Sequence, residues 1–224
     1  MSQDINLKEL ESKAWRSVFQ GGLWDIYLGL LLLAMAVGAW LSDSGFSTAL
    51  QYGVYLGLIV VSLLILWAGK HFITLPRMGS VKFGPRRQAR LRGVRLLLAL
   101  FLLLGVALFF IALALGGTPS GTRLLTSVTP VIWVLGTLGL SALGAYLLEY
   151  TRLVVIGVMY AVTVPADMAL RQLTGQDLSY LAFGIPAALI LVMGLVVFVR
   201  FLHDYPLPAE QESPAAEAGW HGNR

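Results

Sequence analysis

Long apolar runs without charge alternate with short polar segments along this 224-residue chain. The clearest run, LLLALFLLLGVALFFIALAL at 96–115, has no charged residue over twenty positions. At about 1.5 Å rise per residue, such a helix matches the roughly 30 Å hydrocarbon core of a bilayer. Six runs meet this criterion, and they predict membrane spans at about 23–41, 50–69, 96–115, 128–148, 153–172 and 180–202.

Composition supports the same class of protein. The chain is 57% hydrophobic and 12% charged, whereas about a quarter of the residues in an ordinary soluble domain are charged. A soluble protein of this length could not bury several apolar runs of twenty residues in one core. The sequence therefore predicts an all-α, polytopic integral membrane helical bundle.

The boundary between the fourth and fifth spans is the least marked, because only Glu149-Tyr-Thr-Arg152 separates them. One helix through this point would run for about 35 residues, near 50 Å. It would place Glu149 and Arg152 at the bilayer centre, which costs several kcal/mol. We therefore expect a tight hairpin on the cytoplasmic side.

Basic residues are concentrated in one loop, at 70–95. It holds half of the sixteen Lys and Arg residues: Lys70, Arg77, Lys82, Arg86, Arg87, Arg90, Arg92 and Arg95. With the N-terminus inside, the inner segments carry fourteen basic residues and the outer segments two. The positive-inside rule then predicts that both termini are cytoplasmic. The short loops are typical of a bacterial inner-membrane protein, which we take as the expected location.

The two ends of the chain differ from the spans. Residues 1–21 predict a short amphipathic helix, with a capping-box pattern at Asn6 and Glu9 before apolar residues at helical spacing. The six-span domain covers 22–203. Residues 204–224 are rich in Pro, Ala and Glu and predict a flexible cytoplasmic tail.

Small residues four positions apart mark faces on which helices can approach closely. The pairs are Gly53 and Gly57, Gly184 and Ala188, Ala34 and Gly38, and Ser141 and Ala145. They predict packing within the chain, with homo-oligomer formation as the alternative. Residues 53–72 also align without gaps on 184–203, which indicates either an internal repeat or the shared composition of apolar spans.

Two acidic residues lie inside predicted spans. Asp25 suits a cap at the positive N-terminus of its helix, with Arg16 as a partner. Asp167 lies four residues before Arg171, a favourable helical ion-pair spacing. The alternative is a transport site formed by Asp167, Asp25 and a helix broken at Pro165, as in many transporters.

Four hydroxyl residues within the spans allow a second kind of polar path. Ser62, Thr137, Ser141 and Thr163 could line a narrow route for a neutral solute. They could equally donate hydrogen bonds to the backbone of their own helices.

The sequence has no pattern that predicts an enzyme, a cofactor or a metal. It contains no cysteine and no nucleotide-binding or hydrolase motif. His71 and His203 are expected at the cytoplasmic ends of their spans, where such histidines usually bond to headgroups or backbone. We therefore expect neither a metal nor a cofactor.

Two functional classes remain. The first is a non-catalytic accessory or scaffold protein, whose basic loop binds anionic lipid at about 1 kcal/mol per charge or docks an acidic protein partner. The second is a small transporter or channel with its site near Pro165 and Asp167. Nucleic acid is not an expected partner, because the basic strip is short and held against the bilayer.

Overall fold

The structure, a computed structural model, describes residues 21–74, 85–116 and 118–204. These residues form helices and no strand. The six α-helices are α1 (Leu23–Asp43), α2 (Thr48–Ala68), α3 (Pro85–Gly116), α4 (Pro119–Leu148), α5 (Arg152–Thr174) and α6 (Ser179–Asp204). The predicted amphipathic helix at 1–21 and the predicted tail at 204–224 lie almost wholly outside the described residues.

Five of these helices are long and apolar enough to cross a membrane: α1, α2 with its extension, α4, α5 and α6. This confirms the prediction of a helical protein whose apolar helices are long enough to cross a membrane. α3 contains a shorter apolar part at Ala99–Ala112, and its 32 residues include the whole predicted span at 96–115.

α2 continues beyond Ala68 as a π-helical segment, Gly69–Thr74. Its first residue faces the start of α1, where a Cβ atom at Gly69 would lie 2.7 Å from Leu23 Cδ2. Only glycine fits there without displacing the leucine. The wider π-helical turn thus begins where α2 meets the first residue of α1.

The predicted hairpin between the fourth and fifth spans is present. α4 ends at Leu148, and α5 begins at Arg152. Glu149 adopts the left-handed conformation (φ 55°, ψ 37°), and the Tyr150 N–H donates to the Ala145 carbonyl at 3.0 Å. This resembles the common helix C-terminal motif in which glycine usually occupies the left-handed position.

The helices form a curved row in the order α2, α1, α6, α5, α4, α3, judged by their most extensive contacts. α1 also touches α5, so α1, α5 and α6 enclose the centre of the bundle. The buried core there consists of Leu32, Ile156, Ala187 and Ile190. α6 lies between two helices while α2 packs mainly on α1, so the aligned segments 53–72 and 184–203 are not packed equivalently.

Glycines allow α1 and α6 to approach closely. A Cβ atom at Gly29 would lie 2.8 Å from Leu191 Cγ, and one at Gly194 would lie 2.8 Å from the Ile26 nitrogen. Gly22, at φ +75°, faces the backbone of Gly194 and Phe198. Because lipid tails are as apolar as the helices, close van der Waals packing of this kind supplies much of the association energy.

The four predicted pairs of small residues differ in what they contact. A Cβ at Gly53 or Gly57 would meet no described atom within 4 Å, so these two glycines do not pack against another described helix. Gly184 faces α1, with a Cβ there 3.8 Å from that of Ala36. Ala188 is exposed, and the neighbouring Ala187 is the buried residue, because the face towards α1 passes through Ala187 and Leu191.

The remaining two pairs contact neighbouring helices. Ser141 and Ala145 are buried, and Ser141 lies directly against Gly157 of α5. Ala34 is fully buried, and a Cβ at Gly38 would lie 3.7 Å from the Tyr55 ring. These two faces therefore contribute to helix packing within the chain.

Substitution of Gly194 by alanine should destabilise the bundle by about 1–3 kcal/mol, because the added Cβ meets backbone atoms that cannot move easily. The matched control is Gly57→Ala, which meets open space and should leave stability unchanged or slightly raised. Unfolding of the purified protein in mild detergent, followed by tryptophan fluorescence, measures both. Equal destabilisation by the two substitutions would contradict the α1–α6 contact.

Candidate functional site

The antiparallel order of the helices brings a set of termini to one end of the bundle. The starts of α1 and α5 lie there with the ends of α2, α4 and α6, as shown by the contacts of Gly69 with Leu23 and of Gly22 with Phe198. The segment that extends α2 ends at this same end of the bundle, and α3, which the predicted basic loop precedes in the sequence, begins there. We call this end the basic end, and it contains Asp25, Lys70, Arg152 and Arg200.

Asp25 and Arg152 form a buried ion pair at the basic end. Arg152 Nη1 donates to Asp25 Oδ2 at 3.0 Å, and the aspartate side chain has no solvent exposure. Asp25 lies in the first turn of α1, where the helix dipole favours a negative charge. Its second oxygen, Oδ1, is buried without a hydrogen-bond partner among the described residues.

The observed partner differs from the predicted one. Arg16 lies outside the described residues, and the structure pairs Asp25 with the first residue of α5. The signal was present in the sequence, since Asp25 and Arg152 were both placed at the inner boundary of their spans. Two opposite charges at equal depth in lipid are expected to pair, because each alone is costly to bury.

A cavity of about 420 Å³ lies beside this ion pair, within the size range of small-molecule sites. Among the described residues, four charged side chains line it: Arg152, Arg200, Glu149 and Asp204. The buried side chains Tyr150 and Phe201 supply apolar surface. Val197 and Thr151 complete the lining.

Two local features fix the cavity wall formed by the α4–α5 hairpin. Glu149 is the one non-glycine residue with positive φ in the described part of the chain. Such a conformation costs about 1 kcal/mol or more and persists only where its surroundings impose it. The Arg152 guanidinium carbon lies 5.6 Å from the centre of the Tyr150 ring, which is within cation–π range.

At the opposite end, Asp167 belongs to a network and not to an open site. Its Oδ1 accepts from Arg171 Nε at 3.2 Å and lies 2.7 Å from Ser179 Oγ, whose single hydroxyl hydrogen is shared between Asp167 and Asp177. Arg171 also pairs with Asp177 at 3.0 Å. The spacing of Asp167 and Arg171 therefore forms the helical pair that it predicts, and the network ties the end of α5 to the start of α6.

The fifth helix is not interrupted at Pro165, where the transporter alternative places a kink or break. α5 runs without interruption from Arg152 to Thr174, with Pro165 inside it. A proline removes one backbone hydrogen bond, but membrane helices tolerate this when neighbouring groups compensate. Pro165 therefore does not expose unpaired backbone in the way that a broken-helix ion site requires.

The hydroxyl residues bond to their own helices. The four side chains donate to carbonyls three or four residues earlier at 2.6–2.7 Å, and they are Ser62, Thr137, Ser141 and Thr163. These hydroxyl hydrogens are therefore engaged by the backbone of the same helix, which is the alternative to a polar path that the sequence also allows.

The predicted basic residues are only partly described. Lys70 is exposed in the π-helical segment. Arg77 and Lys82 lie outside the described residues. The backbone of α3 includes five more, whose side chains are not described: Arg86, Arg87, Arg90, Arg92 and Arg95.

The two predicted boundary histidines have local partners. The His71 ring stacks on Trp67 at 5.5 Å between centroids, and His203 Nδ1 lies 3.8 Å from Asp204. Across 21–74, 85–116 and 118–204, no group of three or more His, Cys, Asp or Glu residues could hold a metal ion.

Comparison with known proteins does not supply a function. No protein-family model, curated protein or solved structure matches the chain. Function is therefore inferred from the chemistry of the basic end, where the buried ion pair and the cavity lie together with the start of α3.

Replacement of Asp25 by alanine should destabilise the protein by about 3 kcal/mol, because it leaves the Arg152 charge partly buried without its carboxylate. The double substitution Asp25→Ala with Arg152→Leu should recover part of this loss. Free energies of unfolding in detergent for the wild type, both single variants and the double variant give the coupling. Asp43→Asn is the control, because Asp43 is exposed at the other end of the bundle. If the losses of stability in the two single variants simply add in the double variant, the ion pair is contradicted.

The Asp177 carboxyl gives a prediction about pH. Hydrogen bonds from the Ser179 hydroxyl and backbone, together with the Arg171 charge, hold its pKa below the ordinary value. Its contribution to stability is therefore present at neutral pH and is lost as pH falls below about 4. Carboxyl NMR titration should show a depressed midpoint, and Ser179→Ala should raise it. An ordinary midpoint in the wild type would contradict the network.

Proposed function

We propose that this protein is a non-catalytic accessory or scaffold protein of the cytoplasmic membrane, which binds anionic lipid headgroups at its basic end. In this proposal six helices span the bilayer, and both termini are cytoplasmic. The basic loop holds the cytoplasmic ends of the helices against the headgroups and presents a surface that a partner protein can also use.

One observation carries the proposal, namely the concentration of cations at one end. The chain's sequence places eight basic residues between α2 and the apolar part of α3, and Arg152 and Arg200 lie at the same end of the bundle. Clusters of four to eight basic residues beside a span attract anionic headgroups at about 1 kcal/mol per charge. Fourteen inner against two outer basic residues support a cytoplasmic position for this end.

The continuity of α3 supports the sixth span. The helix begins at Pro85, within the basic segment, and ends at Gly116. It thereby joins the cationic lead-in to the apolar run without a turn. A helix of this kind is suited to cross the bilayer with its basic first turns among the inner headgroups.

The transporter alternative has less support. Asp167 is already engaged by Arg171 and Ser179, and α5 is continuous through Pro165. The span hydroxyls are bonded within their own helices. These observations favour a packed structural role for the residues that a transport site would need.

The anionic-lipid proposal is tested with a triple variant, Arg86→Gln, Arg87→Gln and Arg90→Gln. Loss of three charges should weaken retention of phosphatidylglycerol about a hundredfold at low salt, at about 1 kcal/mol per charge. Native mass spectrometry of the protein released from mixed-lipid nanodiscs measures the retained lipid. Arg123→Gln, on the end away from the basic loop, is the matched control.

Unchanged retention in the triple variant, or an equal loss in the control, would contradict lipid binding at the basic end. A solute flux in proteoliposomes that Asp167→Ala abolishes would overturn the accessory function as a whole. In that case the transport class would replace it.

A further inference from the structure

Three aromatic rings form an exposed cluster where α2 passes into its π-helical segment. The His71 ring stacks on Trp67 at 5.5 Å between centroids. The Phe72 ring meets Trp67 and His71 edge to face, at 6.1 and 5.0 Å. Trp67 and Phe72 are 61% and 66% exposed, so this contiguous aromatic surface is open to a ligand or to lipid.

The π-helical turn gathers these rings on one side of the chain. Trp67 and Phe72 are five residues apart, and residues at that spacing lie about 140° apart around a regular α-helix. The π-helical segment Gly69–Thr74 begins between them, and its hydrogen bonds join residues five apart. The two rings can therefore touch. Such turns are rare and frequently occur at functional sites.

A free cation and an apolar surface adjoin the cluster. Lys70 is exposed in the same π-helical segment. Among the described residues, its ammonium group and the Trp67 indole N–H donate to no other group. Towards the middle of α2 the exposed surface is apolar, at Val60, Leu63 and Leu64. A ligand with an anionic head and an apolar chain would meet donors first and apolar side chains beyond them.

The opposite end of the bundle carries an aromatic pair without a cation, which gives an internal comparison. The rings of Trp40 and Phe46 are 6.4 Å apart, and they are 50% and 44% exposed. The charged residue between them in the sequence is Asp43, an acid. Because tryptophan occurs at both membrane interfaces, the rings alone do not distinguish the two ends. The charge of Lys70 does.

We propose that the ring cluster and Lys70 form a binding site for one anionic phospholipid. Lys70 donates to the phosphate, and the Trp67 indole N–H donates to an ester carbonyl. Phe72 contacts the start of an acyl chain, while His71 is a positioning residue that holds the indole by stacking. This inference rests on the proposed function, since it needs the basic end to lie among anionic headgroups, and it assigns one of those lipids to α2.

The test uses the full-length protein in nanodiscs of phosphatidylcholine and phosphatidylglycerol, with bromine on the acyl chains of one lipid or of the other. Bromine quenches a tryptophan that it touches, and the Trp67 emission is the difference between the wild type and Trp67→Phe. At equal amounts, we expect phosphatidylglycerol to occupy the site about fivefold more than phosphatidylcholine, because one cation selects the anionic lipid.

Lys70→Gln should abolish this fivefold preference at Trp67. The matched control is Lys82→Gln, which removes the same charge from the same predicted basic loop and should leave the preference intact. The Trp40 emission, obtained in the same way with Trp40→Phe, should show no preference for phosphatidylglycerol. Free glycerol phosphate in excess should not relieve the quenching, because it lacks the acyl chains that the apolar surface holds.

Equal quenching of Trp67 by the two brominated lipids would overturn the proposal, as would a preference that survives Lys70→Gln. An equal loss in Lys82→Gln would show a general effect of net charge, and relief by glycerol phosphate would identify a soluble ligand. The triple variant of the basic loop separates the two proposals. It should lose retained phosphatidylglycerol but keep the preference at Trp67, so that failure of either result contradicts only the proposal that predicts it.

Discussion

The buried ion pair between Asp25 and Arg152 is the contact on which the basic end depends. A carboxylate without solvent contact among apolar helices needs a cation, and the guanidinium at 3.0 Å supplies it. The pair joins residues 127 positions apart, and so it fixes the start of α1 against the start of α5. The α4–α5 hairpin, which carries Glu149 and Tyr150, is positioned with it.

The start of α1, which carries Asp25, also packs closely on α6. A Cβ atom at Gly194 would come within 2.9 Å of Asp25 Cβ, so a larger residue would displace the aspartate from its place. Gly22 and Gly29 allow the same approach along α1. In lipid no hydrophobic force drives helices together, and these short contacts therefore determine which helices are neighbours.

Much of this fold could be predicted from local sequence. The length of the apolar runs located the helices, and the cost of burying Glu149 and Arg152 located the hairpin between α4 and α5. The small-residue faces were predicted less well. Gly53 and Gly57 have the same spacing as a contact face but meet open space, because spacing shows that a close approach is possible and not that a partner is present.

Other features depended on tertiary structure. The seven-residue recurrence of Gly22, Gly29 and Ala36 marks the face of α1 that contacts α6, and the four-residue pattern used in the sequence interpretation did not select it. Pro165 could kink or break a helix by its type alone, and only the structure shows that α5 continues through it. The left-handed Glu149 had no local signal, since glycine is the residue that such a position favours.

The ion pair of Asp25 and Arg152 holds together the elements of the basic end. Solid-state NMR of the protein in liposomes tests that pair directly, by ¹³C–¹⁵N dipolar dephasing between aspartate carboxyl carbons and arginine guanidinium nitrogens in an Arg171→Gln background. Our account predicts dephasing that matches the 3.0 Å contact of Asp25 with Arg152 and disappears in Asp25→Asn or Arg152→Lys. Absence of short-range dephasing, or its persistence in both variants, would contradict it.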